Sequence, residues 1–248
     1  MPADSAINPT SAHIRILNPT AQRGQYVKTE YAYIRQYVKE LHRTHDKDVD
    51  VFIHIGQAGG WNFVSIERIA FKQGMTTSWF NGENGNEYYT IKDDAGKTIK
   101  DAGPCPWDSL PMSLRSSFDV DNIQHGAETL LDNKQWFSPW KAPKMTQEVG
   151  KGAIEFGAGK SSPEPIPAMP ARIKVKTHDE GGAYCCGFIH YESLAHCYMK
   201  GRSPEVLFCH VPGELDKDSL EMGRDAIVAI IVSAVNELLH RKPAKQTK

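Results

Sequence analysis

The spacing of apolar residues predicts that the chain begins with a strand, a helix and a second strand. Residues 13–17 form a short apolar segment, and residues 51–55 form a continuous apolar run of the kind found in strands covered on both faces. Between them lies one helical face over about residues 25–43. Its apolar residues recur at steps of four and three, at Val27, Tyr31, Ile34, Val38 and Leu41.

The rest of the chain continues this alternation of strand and helix. Residues 65–71 are apolar and suit either a helix or a strand. The remaining predicted elements are hairpins and loops over 72–106, a helix over 119–131, a strand over 172–177, a helix over about 186–199, a strand over 206–211 and a helix from 218 onward. Residues 133–172 contain six prolines and little periodicity, which predicts a disordered surface insertion.

Charge and hydrophobicity argue against two classes of partner. The chain has 248 residues, and its 29 lysines and arginines are balanced by 30 aspartates and glutamates. That balance favours neither nucleic acid nor anionic lipid as a partner. No apolar run approaches the roughly 20 residues that span a bilayer, and the polar N-terminus is unlike a secretory signal. We therefore expect a cytoplasmic protein.

The cysteines are the first candidates for chemistry. Five cysteines are an odd number, which favours reduced thiols over a disulfide framework. Cys185 and Cys186 follow a Gly-Gly turn and precede a predicted helix, where the helix dipole would stabilise a thiolate. The alternative is that both are small buried apolar residues.

A thiolate nucleophile needs a histidine and a third group that orients it. His54 and His210 lie in the strands predicted over 51–55 and 206–211, and His210 lies at the carboxyl end of its strand, where Gln57 and Cys186 are also expected. The alternative is that His210 is a structural histidine with its hydrogen bonds satisfied. Glu67 stands in an apolar segment, either as an acid of the site, as a local partner of Arg68 or as an exposed residue.

A zinc site is a further alternative by composition. Its ligands would come from a cluster of cysteines and histidines whose spacing matches no standard zinc signature. The cluster comprises Cys185, Cys186, His190, His196 and Cys197. Stoichiometric metal in the purified protein would reveal such a module.

Three segments of the chain form a set with a fixed order. They read HIGQAGGWNFVSIERIA at 54–70, DEGGAYCCGFIHYESLA at 179–195 and EVLFCHVPGE at 205–214. Together they resemble the pyroglutamyl peptidase I family, intracellular cysteine peptidases that remove N-terminal pyroglutamate. The family has a strand ending in a glycine turn and followed by a Glu-Arg pair, a Gly-x-x-x-Cys turn, and a strand ending in His-x-Pro. His210 follows Cys186 by 24 residues, as in the family.

The resemblance implies a fold and a role for each site residue. The fold would be α/β, a three-layer α/β/α domain with a mixed twisted sheet of the phosphorylase/hydrolase-like kind, covering residues 1–248 with the insertion at 133–172. Cys186 would be the nucleophile, His210 the general base and then acid, and Glu67 the group that orients the imidazole. The pocket for the lactam would be lined by Gln57, Gly59, Tyr184 and Cys185. The substrates would be peptides with an N-terminal pyroglutamate, with no metal, no cofactor and no indication of a homo-oligomer.

The chain also departs from the family. It lacks the N-terminal strand and the Gly-Phe-x-Pro-Phe loop whose aromatic residues close over the lactam, and residues 13–17 align with the family's second strand. Trp61 stands where bacterial relatives often carry arginine, and Cys185 is an extra cysteine. Two interpretations therefore stay open: an active peptidase, and an inactive or truncated homologue that acts as an interaction protein through the insertion.

Overall fold

A computed structural model describes residues 12–18, 26–59, 61–77, 86–132, 174–213 and 217–241. The helices within these ranges are α1 (Tyr31–His45), α2 (Val120–Leu131), α3 (Cys185–Met199) and α4 (Lys217–Arg241), with a short 3-10 helix at Ile99–Ala102. The strands are β1 (Phe52–Ala58), β2 (Val64–Phe71), β3 (Thr76–Thr77), β4 (Asn86–Glu87), β5 (Ser113–Arg115), β6 (Val175–Glu180) and β7 (Val206–Pro212).

Five of these strands form one mixed sheet. β1 pairs with β7 in parallel, and β7 pairs with β2 in antiparallel orientation. β2 also pairs with β6 in parallel and with β5 in antiparallel orientation. β3 and β4 form a separate two-stranded ribbon. Among the described strands, β1 therefore lies at one edge of the main sheet.

Helices cover both faces of this sheet. Alternate residues of β7 serve the two sides: Leu207 and Cys209 pack in a core with α2 and α4, whereas Phe208 packs in a second core with α1 and α3. A strand whose successive side chains are apolar and buried on both sides is what a three-layer arrangement requires. The fold is an α/β/α domain with an open mixed sheet, as predicted.

The predicted strand over 13–17 is wrong. These residues have no strand pairing, and only Ile14 is buried; Ile16 and Leu17 are 56% and 41% exposed. A short apolar segment becomes a strand only where a sheet edge accepts its backbone hydrogen bonds.

β1 continues to Ala58 rather than ending at residue 55, and two further element boundaries differ from prediction. α1 begins at Tyr31 rather than near residue 25, because Glu30 is extended and the Tyr31 amide donates to the Asp93 carboxylate at 3.0 Å. β6 runs to Glu180, beyond the turn predicted after Thr177. The second difference places His178 within the sheet.

The prediction that residues 51–55 form a strand buried on both faces is correct for part of the strand only. Phe52 and His54 are buried, but Ile55 is 54% exposed. The predicted insertion at 133–172 lies outside the described residues. Within the described ranges, no helix is long and apolar enough to cross a membrane.

Candidate active site

Strand register brings the site together around His210. His210 on β7 pairs with Gly56 on β1 and with Ser65 on β2. Successive side chains on a strand alternate between faces, so Glu67 projects to the same face of β2 as Ser65. The sheet therefore places a glycine on one side of His210 and a carboxylate on the other.

Glu67 and His210 form a buried hydrogen-bonded pair. The distance from His210 Nδ1 to Glu67 Oε1 is 2.8 Å, and Glu67 is fully buried. Ser65 Oγ donates to the same carboxylate oxygen. Burial would raise the pKa of Glu67, but hydrogen bonds from His178 and His210 lower it to about 2. Glu67 is thus ionised at neutral pH.

Arg68 is not the partner of Glu67. Adjacent residues on a strand point to opposite faces, and the Arg68 guanidinium instead binds Asp121 and, at 2.6 Å, Thr177 Oγ1. Both alternatives that the sequence leaves open for Glu67, a local pair with Arg68 and an exposed position, are therefore wrong.

Cys186 is the second residue of α3, immediately after a tight glycine turn. Gly182 has φ +80°, a conformation that side chains rarely adopt. A Cβ on Gly187 would lie 2.0 Å from the carbonyl oxygen of Gly182, so the turn packs against the helix only because residue 187 has no side chain. The two glycines fix the position of Cys186 at the start of the helix.

Gly56 leaves the space that the sulfur of Cys186 occupies. A Cβ on Gly56 would lie 3.0 Å from Cys186 Sγ, 2.8 Å from Phe208 Cζ and 3.3 Å from His210 Cδ2. The thiol and the imidazole thus flank the same glycine. No hydrogen bond joins Cys186 Sγ to His210 among the described residues, and catalytic hydrogen bonds are often long before substrate binds.

The resting state of Cys186 is the neutral thiol. Burial, with a smaller contribution from the negative charge of Glu67, raises the pKa of Cys186 to about 12. The effect of the helix N-terminus, which favours a thiolate, is outweighed here. Any nucleophilic role then requires a base that removes the proton as the sulfur attacks.

The four residues expected to line a lactam pocket lie close to this centre along the chain. Gln57 follows Gly56, is exposed and donates from Nε2 to the carbonyl oxygen of Gly213 at 2.5 Å. Gly59 is exposed one residue beyond the end of β1. Tyr184 and Cys185 are each 3% exposed in the core formed with α1, so they could offer a ligand mainly backbone groups.

Three further residues belong to this centre. Gly56 provides the space described above, and Trp61 packs its ring 5.4 Å from His210 and 5.1 Å from His178. His178 Nδ1 lies 2.9 Å from Glu67 Oε2. The alternation of apolar and polar residues ends at Thr177, one residue before His178, so no sequence pattern marked this histidine.

A second arrangement of serine, histidine and aspartate lies elsewhere and is structural. His42 Nε2 is 2.8 Å from Ser193 Oγ, and His42 Nδ1 is 3.0 Å from Asp46 Oδ1. Both His42 and Ser193 are fully buried between α1 and α3. A hydroxyl without solvent access cannot reach a substrate, so this triad ties two helices together.

The zinc alternative gains no support. Its residues on α3 point into different parts of the protein: Cys185 packs with Tyr31, and Cys197 packs with Phe52 and Trp107. In the described ranges, no group of three or more His, Cys, Asp or Glu side chains is arranged to hold a metal ion. All five cysteines are described and are free thiols.

Solved structures share this fold. No family model and no curated protein matches the chain. Similar structures include pyrrolidone carboxyl peptidase from Pyrococcus furiosus (TM-score 0.53, 18% identity, covering 86% of this chain and 80% of that chain). Another is the pyrrolidone carboxyl peptidase from Thermococcus litoralis (TM-score 0.51, 15% identity, covering 87% and 79%). The chain therefore has the fold of the pyrrolidone carboxyl peptidases.

Proposed function

We propose that this protein is a cysteine peptidase that removes N-terminal pyroglutamate from peptides, with Cys186, His210 and Glu67 as its catalytic residues. The observation that carries the proposal is the buried Glu67–His210 hydrogen bond of 2.8 Å, next to a glycine that the sulfur of Cys186 also contacts. This is the order of acid, imidazole and nucleophile that acyl transfer requires. The shared fold and the three sequence segments support the same reaction class.

In the first half-reaction, Cys186 Sγ attacks the carbonyl carbon that joins the pyroglutamyl ring to the next residue. His210 takes the thiol proton as the carbon–sulfur bond forms, because the thiol is neutral before the attack. Glu67 accepts a hydrogen bond from Nδ1 and stabilises the imidazolium. The imidazolium then protonates the leaving amine, the carbon–nitrogen bond breaks, and a thioester remains on Cys186.

In the second half-reaction, water releases the acyl group. His210, neutral again, removes a proton from the water molecule that attacks the thioester carbonyl, and returns it to the departing sulfur. The backbone N–H groups at the start of α3 are suited to stabilise the oxyanion in both steps, since no side chain caps the N-terminus of α3.

The lactam of pyroglutamate offers one donor and one acceptor. We propose that Gln57, Gly59 and the backbone at Tyr184 and Cys185 bind these two groups. Polar partners that the bound ligand covers reject analogues that lack the matching group, by factors of about 10⁴–10⁵ in favourable cases. Trp61 lies beside His210 and offers an aromatic ring at the site.

One observation favours a second candidate function. β1 lies at an edge of the described sheet, and Ile55 on it is 54% exposed. A homologue with this edge open could keep the Glu67–His210 pair without a closed lactam pocket. Such a protein would serve as an interaction module rather than an enzyme.

The deciding experiment is release of a fluorogenic amine from a pyroglutamyl amide by the purified protein. We expect thiol-dependent turnover that Cys186→Ala abolishes, while a prolyl amide, which lacks the lactam carbonyl, is not cleaved. Circular dichroism establishes that both proteins are folded. A folded wild-type protein without turnover would reject the peptidase and favour the interaction module.

A further inference from the structure

Glu67 has two histidine partners, one on each neighbouring strand. His210 Nδ1 lies 2.8 Å from Oε1, and His178 Nδ1 lies 2.9 Å from Oε2. The register explains this arrangement, because His178 on β6 pairs directly with Glu67 on β2. The carboxylate is fully buried, whereas the His178 side chain is 43% exposed and the His210 side chain 9%. The buried imidazole of His210 and the partly exposed imidazole of His178 therefore share the negative charge of Glu67.

The contacts of His178 determine which of its nitrogens titrates. Nδ1 lies 2.7 Å from the carbonyl oxygen of Glu180 and 2.9 Å from the ionised carboxylate of Glu67. Both oxygens can only accept, so Nδ1 carries a proton that the two oxygens share. Nε2 is then the nitrogen that gains or loses a proton in solution.

Several charged groups face His178. Glu67 on β2 and His210 on β7 belong to the neighbouring strands. The charged residues of β6 itself are Lys176, Asp179 and Glu180. Arg68 on β2 binds Asp179 and also Asp121 of α2. The hydrogen bond that His178 donates to Glu67 outweighs the effect of burial and raises the pKa of His178 to about 8. At neutral pH, His178 is therefore a cation.

We infer that His178 is a positioning residue: it holds the second oxygen of Glu67, and its charge sets how strongly that carboxylate stabilises the imidazolium of His210. The catalytic consequence rests on the proposed function. The coupling between the rings of His178 and His210 does not depend on that function, since it is a property of the folded protein without substrate.

The expected direction follows from the shared charge. A cation at His178 competes for the charge of Glu67 and disfavours a second cation at His210. When His178 Nε2 loses its proton near pH 8, His178 keeps its hydrogen bond to Glu67 but no longer competes for the negative charge as a cation. The imidazolium that forms on His210 during attack is then better stabilised. Peptidase activity should increase through this pH range.

The test compares histidine titrations by NMR in the wild-type protein and in His178→Asn. An asparagine amide can donate from nearly the position of Nδ1, but it carries no charge. In the wild-type protein, we expect the ring signals of His210 to change where His178 titrates, near pH 8, because the two rings share Glu67. In the variant, that change should be lost. His125→Asn, an exposed residue on α2, should change neither.

The wild-type titration tests the inference even if the variant does not fold. Ring signals of His210 that stay constant in the range where His178 titrates would overturn it. Ring signals of His210 that still change near pH 8 in a folded His178→Asn protein would do the same.

The pH profile of kcat/KM separates this inference from the proposed function. With a pyroglutamyl amide as substrate, the wild-type rate constant should rise through pH 8, and His178→Asn should lack that rise with little change in KM. If the ring signals of His210 respond to His178 but no turnover occurs, the coupling is supported and the peptidase is rejected. If turnover occurs but the ring signals of His210 do not respond to His178, the peptidase is supported and the role of His178 is rejected.

Discussion

Gly56 lies directly opposite His210 in the parallel pairing of β1 with β7. The absence of a side chain at Gly56 leaves room for the sulfur of Cys186 beside the imidazole. The relationship joins β1 to a helix and a strand that lie more than 100 residues further along the chain. The candidate nucleophile thus depends on a residue that has no side-chain chemistry of its own.

Gly56→Ala should therefore damage the site and the core together. The new Cβ would lie 2.8 Å from Phe208 Cζ and 3.0 Å from Cys186 Sγ, closer than such atoms pack. We expect a loss of about 1–3 kcal/mol in the free energy of unfolding, typical of overpacking, and at least a tenfold fall in kcat/KM as the sulfur is displaced. The matched control is Gly223→Ala on α4, whose Cβ would have its nearest contacts at 4.0 Å. Equal activity in both variants would refute the role of Gly56.

The two adjacent cysteines should respond differently to substitution. Cys185 is 3% exposed beside Tyr31 and Phe188, so Cys185→Ala should cost about 1 kcal/mol of stability and leave most of the activity. Cys186→Ala should remove activity without a comparable stability loss. Turnover assays and urea unfolding on both variants measure this. The reverse pattern would mean that Cys185, and not Cys186, is the nucleophile.

Glu67→Gln should separate orientation of the imidazole from simple packing. The amide of glutamine has nearly the same shape, but it cannot accept hydrogen bonds from His178, His210 and Ser65 with a full negative charge. We expect kcat to fall by about 10²–10⁴. Glu237→Gln provides the control, since Glu237 is a partly buried carboxylate that binds Arg241 far from the site. A kcat that is unchanged in Glu67→Gln would exclude Glu67 from the mechanism.

Buried neutral histidines should make the protein sensitive to acid. Burial lowers the pKa of His54 to about 3 and those of His190 and His196 to about 4. Below the unfolded value of 6.5, unfolding takes up protons at these rings, so stability falls as pH falls from 6.5 toward 4, by about 1.4 kcal/mol per pH unit for each histidine. His178 has the opposite sign: its raised pKa contributes stability below pH 6.5 that is lost as pH rises through 8.

Denaturant unfolding at pH 7 and pH 5 measures this dependence. His190→Leu should reduce the pH dependence of the free energy of unfolding by the contribution of one proton, about 1.4 kcal/mol per pH unit. Both ring nitrogens of His190 lack hydrogen-bond partners in the described structure, as expected for a neutral buried ring. A variant with the wild-type slope would show that His190 is not the neutral, buried group we describe.

The Ser193–His42–Asp46 arrangement should prove structural. Ser193→Ala removes the partner of His42 Nε2 in a fully buried position, which should cost about 1–3 kcal/mol. We expect kcat/KM for a pyroglutamyl amide to stay at the wild-type value. Loss of activity in a folded Ser193→Ala protein would mean that this array, rather than Cys186, takes part in the chemistry.

Local patterns along the chain were sufficient for most elements. The apolar runs of β1 and β7, the helical spacing of α1 and the acidic start of α2, where Asp119 caps the helix, each reflect interactions between residues close in sequence. The same patterns failed at residues 13–17 and at the end of β6. In both places the outcome depends on whether a neighbouring strand accepts the backbone hydrogen bonds.

The sequence by itself determined the α/β alternation, the glycine turn before Cys186 and the candidates Cys186, His210 and Glu67. Only the tertiary structure decided that Glu67 turns away from Arg68, that Gly56 makes room for the sulfur, and that His178 shares the carboxylate. Strand register is set by pairings between distant segments, and a shift of one residue would send each of these side chains to the opposite face. The partners of a buried charge are therefore fixed by the assembled sheet rather than by neighbours along the chain.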